Sequence, residues 1–505
     1  MTDGTDVRSR AGGMPFPVPS PLSPHCPRGR HRMLAIALLA ALSGCATLPP
    51  SAAESTPAPL PAHWPDASTA QPSAAASLDW QHYFTDPQLQ ALIHTALEHN
   101  SDLRLALTRM QQAQAAFRIQ RADQLPAIGA TVGQVRAGVP DNLQPLLRES
   151  VLEGNIGLVG FSSWELDLWG RVRKLKRAAL ENWLASAEAQ RAVRVSLIAQ
   201  VANAWLALAE TDERLALTER TIASRQQSWE LFRKREQVGA ISRLQLTQVE
   251  TLLLQARALG AQLHQTRETQ AHALQQLVGA PVGLPVPLPA GALDHAFAPL
   301  QPGLPSDLLA RRPDLRAAEH QLAAARANVG AARDLYFPQI ALTGALGSTS
   351  TALSGLFDAG TGTWLFHPSI SLPILDGGKR NANLRLNQAR EQAALADYDK
   401  AVQAAFREVS DALSARTWLG EQVDIATRSV EVLGERARLA TLRYDAGSSS
   451  YLEVLDAERD LLGARQQQVT ARRALAASQV SLYAALGGDE TAPQASPSSP
   501  DSSAR

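Results

Sequence analysis

Side chains able to move protons, hold metals or form acyl intermediates are scattered along this chain. The histidines from His63 to His367 show no ligand spacing to Asp, Glu or Cys. Gly160 and Ser162 do not complete a nucleophile elbow. Glu165 and Asp167 sit together at a strand-to-helix boundary, where two carboxylates serve a turn better than acid–base catalysis. An enzyme is not the expectation, and no cofactor is expected beyond a covalent lipid. Charges do gather between Arg443 and Arg459, where Tyr444, Glu453, Asp456 and Arg459 fall close together. Their chemistry is electrostatic. Carboxylates crowded at a narrow opening favour cations and raise one another's pKa. The plainer reading is a solvated helical hairpin tip whose Arg459 reaches for water.

The elements that position these charges are two helices and a turn. Gly447 can take a positive φ and is followed by three serines. Beyond it, Leu452, Leu455 and Leu462 form one stripe at helical spacing, and Glu453, Asp456 and Asp460 form another. Arg459 falls on the leucine stripe, where a charge calls for a partner.

Lys+Arg and Asp+Glu both total 48, a balance that points to no nucleic acid. The N-terminus carries Arg28, Arg30 and Arg32, then an apolar run from Met33 to Leu42. That run is far short of the ~20 residues a spanning helix needs. It ends in Leu42-Ser43-Gly44-Cys45, which looks like a bacterial lipobox; the alternative is an ordinary secretory signal peptide. A lipid on Cys45 would anchor the chain without spanning the membrane.

The chain repeats itself. Asp102-Leu103-Arg104 recurs as Asp314-Leu315-Arg316. At a slightly different offset Gly170 matches Gly378, Arg235 matches Arg443, Gly239 matches Gly447, and Glu250 matches Glu458. The expected organisation follows: 1–44 extension and signal peptide, 45–78 linker, 79–280 first repeat, 281–305 inter-repeat segment, 306–488 second repeat, 489–505 disordered tail. Each repeat reads as helix, two strands and a long helical hairpin. The helix opening the first repeat is expected to run unbroken from about Leu89 to Gln124. The strands are expected near Ala127–Ala137, Glu153–Trp164, Pro338–Ser348 and Thr363–Ile374. In the second copy Ile340, Leu342, Leu346, Trp364, Phe366 and Ile370 oppose small or polar residues. That alternation fits a transmembrane barrel strand or a half-buried soluble hairpin. The long helices are expected at Arg171–Val238, Arg243–Val278, Lys379–Ala446 and Tyr451–Leu486. Their narrow apolar stripes need partners along the whole length.

Four strands cannot sit in a bilayer as an open sheet, because the edges would leave backbone groups unsatisfied in hydrocarbon. Transmembrane strands would therefore have to close between protomers. Two copies would give eight strands and a barrel filled by side chains; three would give twelve strands and a lumen.

Four stretches carry a resemblance. They are Ser163-Trp164-Glu165-Leu166-Asp167-Leu168-Trp169-Gly170-Arg171, Arg311-Arg312-Pro313-Asp314-Leu315-Arg316-Ala317-Ala318-Glu319, Leu455-Asp456-Ala457-Glu458-Arg459 and Ala485-Leu486-Gly487-Gly488. With the duplication, they make the chain resemble the outer-membrane efflux duct family of TolC and OprM, in its NodT-type lipoprotein branch. The resemblance implies a mainly α fold with a transmembrane β part. It implies a homotrimer in the outer membrane, with a 12-stranded β-barrel continuous with a 12-helix periplasmic α-barrel. It implies a passive duct serving a periplasmic adaptor and an inner-membrane resistance–nodulation–division transporter. In the family the periplasmic end is closed by helical tips, and here Tyr444, Glu453, Asp456 and Arg459 match those positions. Gln245 and Gln248 stand in the first copy where Glu453 and Asp456 stand in the second. Two alternatives remain on this reading: a duct for type I protein secretion, and a lipid-anchored periplasmic coiled-coil scaffold.

Overall fold

Two copies of one helix–hairpin–helix plan follow each other along the chain. The computed structural model describes residues 79–141, 150–281, 283, 293, 296–300 and 307–488. All of them fall within one compact unit, Ala58–Arg505. Cys45, the signal peptide, the linker and the tail lie outside the described residues, as does most of the inter-repeat segment.

The first copy contains α1 (Trp80–Tyr83), α2 (Pro87–His99), α3 (Ser101–Ala122), β1 (Gly129–Gly138), β2 (Val151–Glu165), α4 (Arg171–Gln237) and α5 (Arg243–Val278). After a short α6 (Asp307–Arg311), the second contains α7 (Pro313–Asp334), β3 (Gln339–Ser350), β4 (Gly362–Ser371), α8 (Lys379–Asp445) and α9 (Tyr451–Ala485). The duplication is carried into length. Helices α3 and α7 each have 22 residues, and α4 and α8 each have 67. Both long helices start after a glycine with φ 86.

The opening helix is not continuous. It breaks at Asn100, which closes α2 and opens α3. The Asn100 N–H donates to Ala96 O at 2.9 Å, while its Oδ1 accepts from Leu103 N at 2.9 Å. Its Nδ2 donates to Leu277 O at 2.8 Å, so the same side chain docks the end of α5. Gly279 is needed beside it: a Cβ there would come within 2.5 Å of His99 O. Apolar periodicity runs through Asn100 unchanged, and the capping chemistry of one side chain overrides it.

The four strands form one antiparallel sheet in the order β1-β2-β3-β4. Ile340 pairs with Ile370 and Leu346 with Trp364, which places these apolar residues on one face. Thr343 pairs with His367 and Ala341 with Ser369 on the other. Trp364, Phe366, Ile370 and Val132 are exposed on the apolar face, Trp364 to 78 %. In β2 the register shifts between Phe161 and Trp164, with Ser163 at φ 54. This bulge inserts one residue and so keeps Trp164 on the same face as Phe161.

The turn from β2 into α4 is held by its charges. Asp167 accepts from Val172 N at 3.0 Å and Arg173 N at 2.9 Å, while Glu165 pairs with Arg171. Trp169 donates to Pro338 O at 2.7 Å, and Lys174 binds Asp334 at 2.6 Å. The start of α7 is tied to the end of α9 through buried Arg312. It donates to Glu408 at 2.8 Å, Ala485 O at 3.0 Å and Asp314 at 2.7 Å. Burial pulls the Arg312 pKa down, but the two carboxylates outweigh it and the guanidinium stands above its ordinary value.

The main core lies where α2, α4, α8 and α9 meet. Tyr83 stacks on Tyr483 at 5.0 Å beside Phe84 and Phe297, and Trp205, Leu206 and Leu208 are fully enclosed. By length and composition α4 could cross a membrane. Its apolar centre, Leu197 to Leu208, is instead spent on this core.

Candidate functional site

Both long hairpins turn at a glycine in the left-handed region, Gly239 at φ 75 and Gly447 at φ 70. At the first turn Ser242 and Gln245 form a reciprocal capping box. At the second, Ser448 closes the turn through its N–H to Arg443 O at 2.9 Å and its hydroxyl to the same oxygen at 3.0 Å.

The two tips pack on each other through Phe232, Leu246, Val249 and Leu455, with Trp229, Tyr444 and Tyr451 around them. Phe232 lies 4.4 Å from Tyr451, and Tyr451 meets Tyr444 edge-on at 4.9 Å. Burial raises the Tyr451 pKa, against the pull of a hydrogen bond with Ser228. Tyr444 accepts a hydrogen bond from Arg235 Nη1 at 2.8 Å.

The charged residues divide into separate pairs. Glu453 meets Arg443 at 3.1 Å. Arg459 reaches Asp456 at 3.3 Å and Asp460 at 3.4 Å. Asp460 also binds Arg436 at 2.7 Å, which, with Arg459, holds its carboxyl below the usual range.

Leu452, Leu455 and Leu462 share one side of α9, as their helical spacing implied, but that side is not the seam with α8. Leu455 is buried, but Leu452 is exposed and Arg459 is 57 % exposed. The seam of α9 runs through Val454, Ala457 and Leu461, which pack on Ala437 and Ala440 of α8. Seen from that seam, Arg459 is on an open flank beside Asp456. Its charge is explained by the neighbouring acids rather than by a buried site.

Of the four residues singled out from sequence, only Tyr444 reaches the other hairpin through a hydrogen bond. Its partner Arg235 was visible as the repeat counterpart of Arg443, yet nothing local marked its role. Tyr451 and Phe232 were also missed, because aromatic residues at helical spacing read as ordinary core. Among the described residues no group of three or more His, Cys, Asp or Glu could hold a metal ion. His320 lies within α7 and bonds Glu181 at 2.8 Å. Glu165 and Asp167 hold a turn, as their position suggested.

Comparisons with known proteins fit this geometry. The chain matches the profile of the family described as Outer membrane efflux protein over residues 92–280 and 304–488. It is 41 % identical over 465 residues to the toluene efflux pump outer membrane protein TtgF of Pseudomonas putida, covering 90 % of this chain and 96 % of that one. It is 38 % identical over 464 residues to the outer membrane protein OprJ of Pseudomonas aeruginosa, covering 90 % and 95 %. Its fold matches the open-state MtrE outer membrane channel of Neisseria gonorrhoeae with a TM-score of 0.77 at 37 % identity, covering 86 % and 96 %. These relatives are channels and channel components rather than enzymes. The chain belongs to the outer membrane efflux protein family: it has the TolC-like fold and is the outer-membrane channel of an efflux pump.

Proposed function

We propose that three copies of this chain close into one duct. It passively conducts small molecules out of the cell, receiving them from an inner-membrane resistance–nodulation–division transporter through a periplasmic adaptor. The observation that carries this reading is the open sheet. Strands β1 and β4 have no described partner on their outer edges, and the sheet has an exposed apolar face. A lipid-facing sheet cannot leave its edges unpaired. Pairing β4 of one copy with β1 of the next satisfies both.

The helices support the same closure. Trp418, Ile425, Val432 and Leu439 recur every seventh residue on α8 and are all exposed. A strict heptad stripe is half of a coiled-coil seam. A second copy supplies the other half.

In this reading Cys45 carries the lipid that anchors the chain to the outer membrane. The duct has no catalytic step and needs no cofactor. Tyr444, Asp456 and Arg459 hold the periplasmic end closed, and Glu453 adds to the charge of the entrance. The relative TtgF is named for toluene. Small apolar compounds are therefore the substrates to test first.

Native mass spectrometry of the full chain in detergent tests the assembly. The expected mass is three chains. A monomer in detergent that keeps the chain's secondary structure by circular dichroism would overturn the reading.

A further inference from the structure

A second concentration of charge lies away from the tips, where α4 of the first copy meets α8 and α9 of the second. A cavity of about 550 Å³ opens there, and Arg220, Arg225, Arg438 and Arg465 line it with a single acid, Glu458. Arg438 is committed elsewhere, since Glu435 holds it through two hydrogen bonds at 2.8 and 2.7 Å. Arg220 and Arg465 are exposed, and neither has an ion pair or hydrogen bond among the described residues.

Arg225 is the buried arginine of the lining. It is 4 % exposed, and its Nη1 donates to Leu252 O at 2.7 Å. Its Nε and Nη2 are buried with no hydrogen-bond partner. Buried guanidinium donors left unmade are costly, and such a fork matches the two oxygens of a carboxylate or phosphate. Glu458 does not fill that role: it lines the same cavity but makes no hydrogen bond or ion pair with Arg225 among the described residues.

We propose that this cavity binds an oxyanion of the phosphate or carboxylate type, held at the solvent side by Arg220 and Arg465 and, once its buried guanidinium turns toward the cavity, by the free Nε and Nη2 of Arg225. The space exceeds a bare oxyanion, and Leu217 and Leu461 line the remainder. That leaves room for water or the organic part of a larger anion. A bound anion ties α4 to α9 and so links the two repeats at a level where their side chains leave a gap. The site rests on residues of one chain and does not depend on the channel reading. Oligomeric mass and anion affinity can therefore fail separately.

The probe is inorganic phosphate, titrated by calorimetry into the full chain in detergent, with chloride exchanged to hold ionic strength constant. The wild type is expected to bind saturably. Arg220→Gln combined with Arg465→Gln is expected to weaken binding at least about tenfold, because both charge-assisted hydrogen bonds from the rim disappear. Both positions are exposed, so the fold should survive, and unchanged oligomeric mass confirms it. Glu458→Gln is expected to tighten binding about threefold or more by removing the repelling carboxylate. No saturable phosphate binding, or equal affinity in the wild type and the double variant, overturns the proposal.

Discussion

Arg235 and Tyr444 join the two halves of a duplicated chain through one hydrogen bond of 2.8 Å. Arg235 closes the long helix of the first repeat, and Tyr444 closes that of the second. Tyr444 also meets Tyr451 edge-on, so the bond gives direction to a ring that packing already holds.

Tyr444→Phe keeps the ring against Tyr451 and removes only the acceptor. A hydrogen bond of this kind contributes about 1 kcal/mol at a half-exposed site, which is on the order of a five- to tenfold change in an open–closed ratio. Planar bilayer recordings should show more frequent or longer openings than the wild type. Identical gating would remove Tyr444 from the closure.

Asp456 and Arg459 form an exposed pair within one helix turn, which contributes little to folding. The double variant Asp456→Ala, Arg459→Ala should therefore melt with the wild type. If the pair works at a constriction, single-channel conductance should rise all the same. Unchanged conductance would place the narrowest point elsewhere.

Glu458 makes stability depend on pH. Its folded pKa lies above the unfolded one because burial opposes the charge. The folded state then holds the proton more tightly, so this contribution is full below the ordinary glutamate pKa. It fades as pH rises through the folded value. Glu458→Gln should melt higher than wild type at neutral pH, and the gap should close near pH 4. A gap that widens on acidification would reverse the assignment.

Val432 sits in the exposed heptad of α8. Val432→Asp places a charge where the proposed neighbour packs, and removes roughly 1.5–3 kcal/mol of apolar burial at each such seam. Native mass spectra should shift from trimer toward monomer. A trimer of undiminished abundance would move the seam to another face.

Much of the fold was legible because the long elements announce themselves. Between Arg171 and Gln237, and between Lys379 and Asp445, no proline interrupts the helical pattern. The turns carry glycine where a positive φ is required. Alternation in β3 and β4 was readable for the same reason, since both faces have a distinct chemistry. Four features stayed hidden. The break at Asn100 rests on a capping side chain that apolar periodicity does not register, and its bond to the distant Leu277 O is a property of packing. The bulge at Ser163 depends on the partner strand, and only pairing with Thr343 exposes the extra residue. At the tips, sequence marked the charged residues but not Arg235, because a cross-repeat contact is a property of packing. The seam of α9 stayed hidden for a related reason. On α9 small residues make the seam, and alanines carry little signal in a hydrophobic pattern.

The equal length of α4 and α8 has a mechanical consequence. Two rods of 67 residues, each roughly 100 Å at the usual rise, behave as a ruler cut twice to one mark. In the proposed assembly six such rods set how far the rim stands from the outer membrane, and all six must end level. Removing seven residues from one copy alone would leave a notched rim on which a ring-shaped partner could not seat. The same deletion in both copies would only shorten the gauge. Duplication thus ties the two halves to a common dimension, and any change in reach has to be made twice.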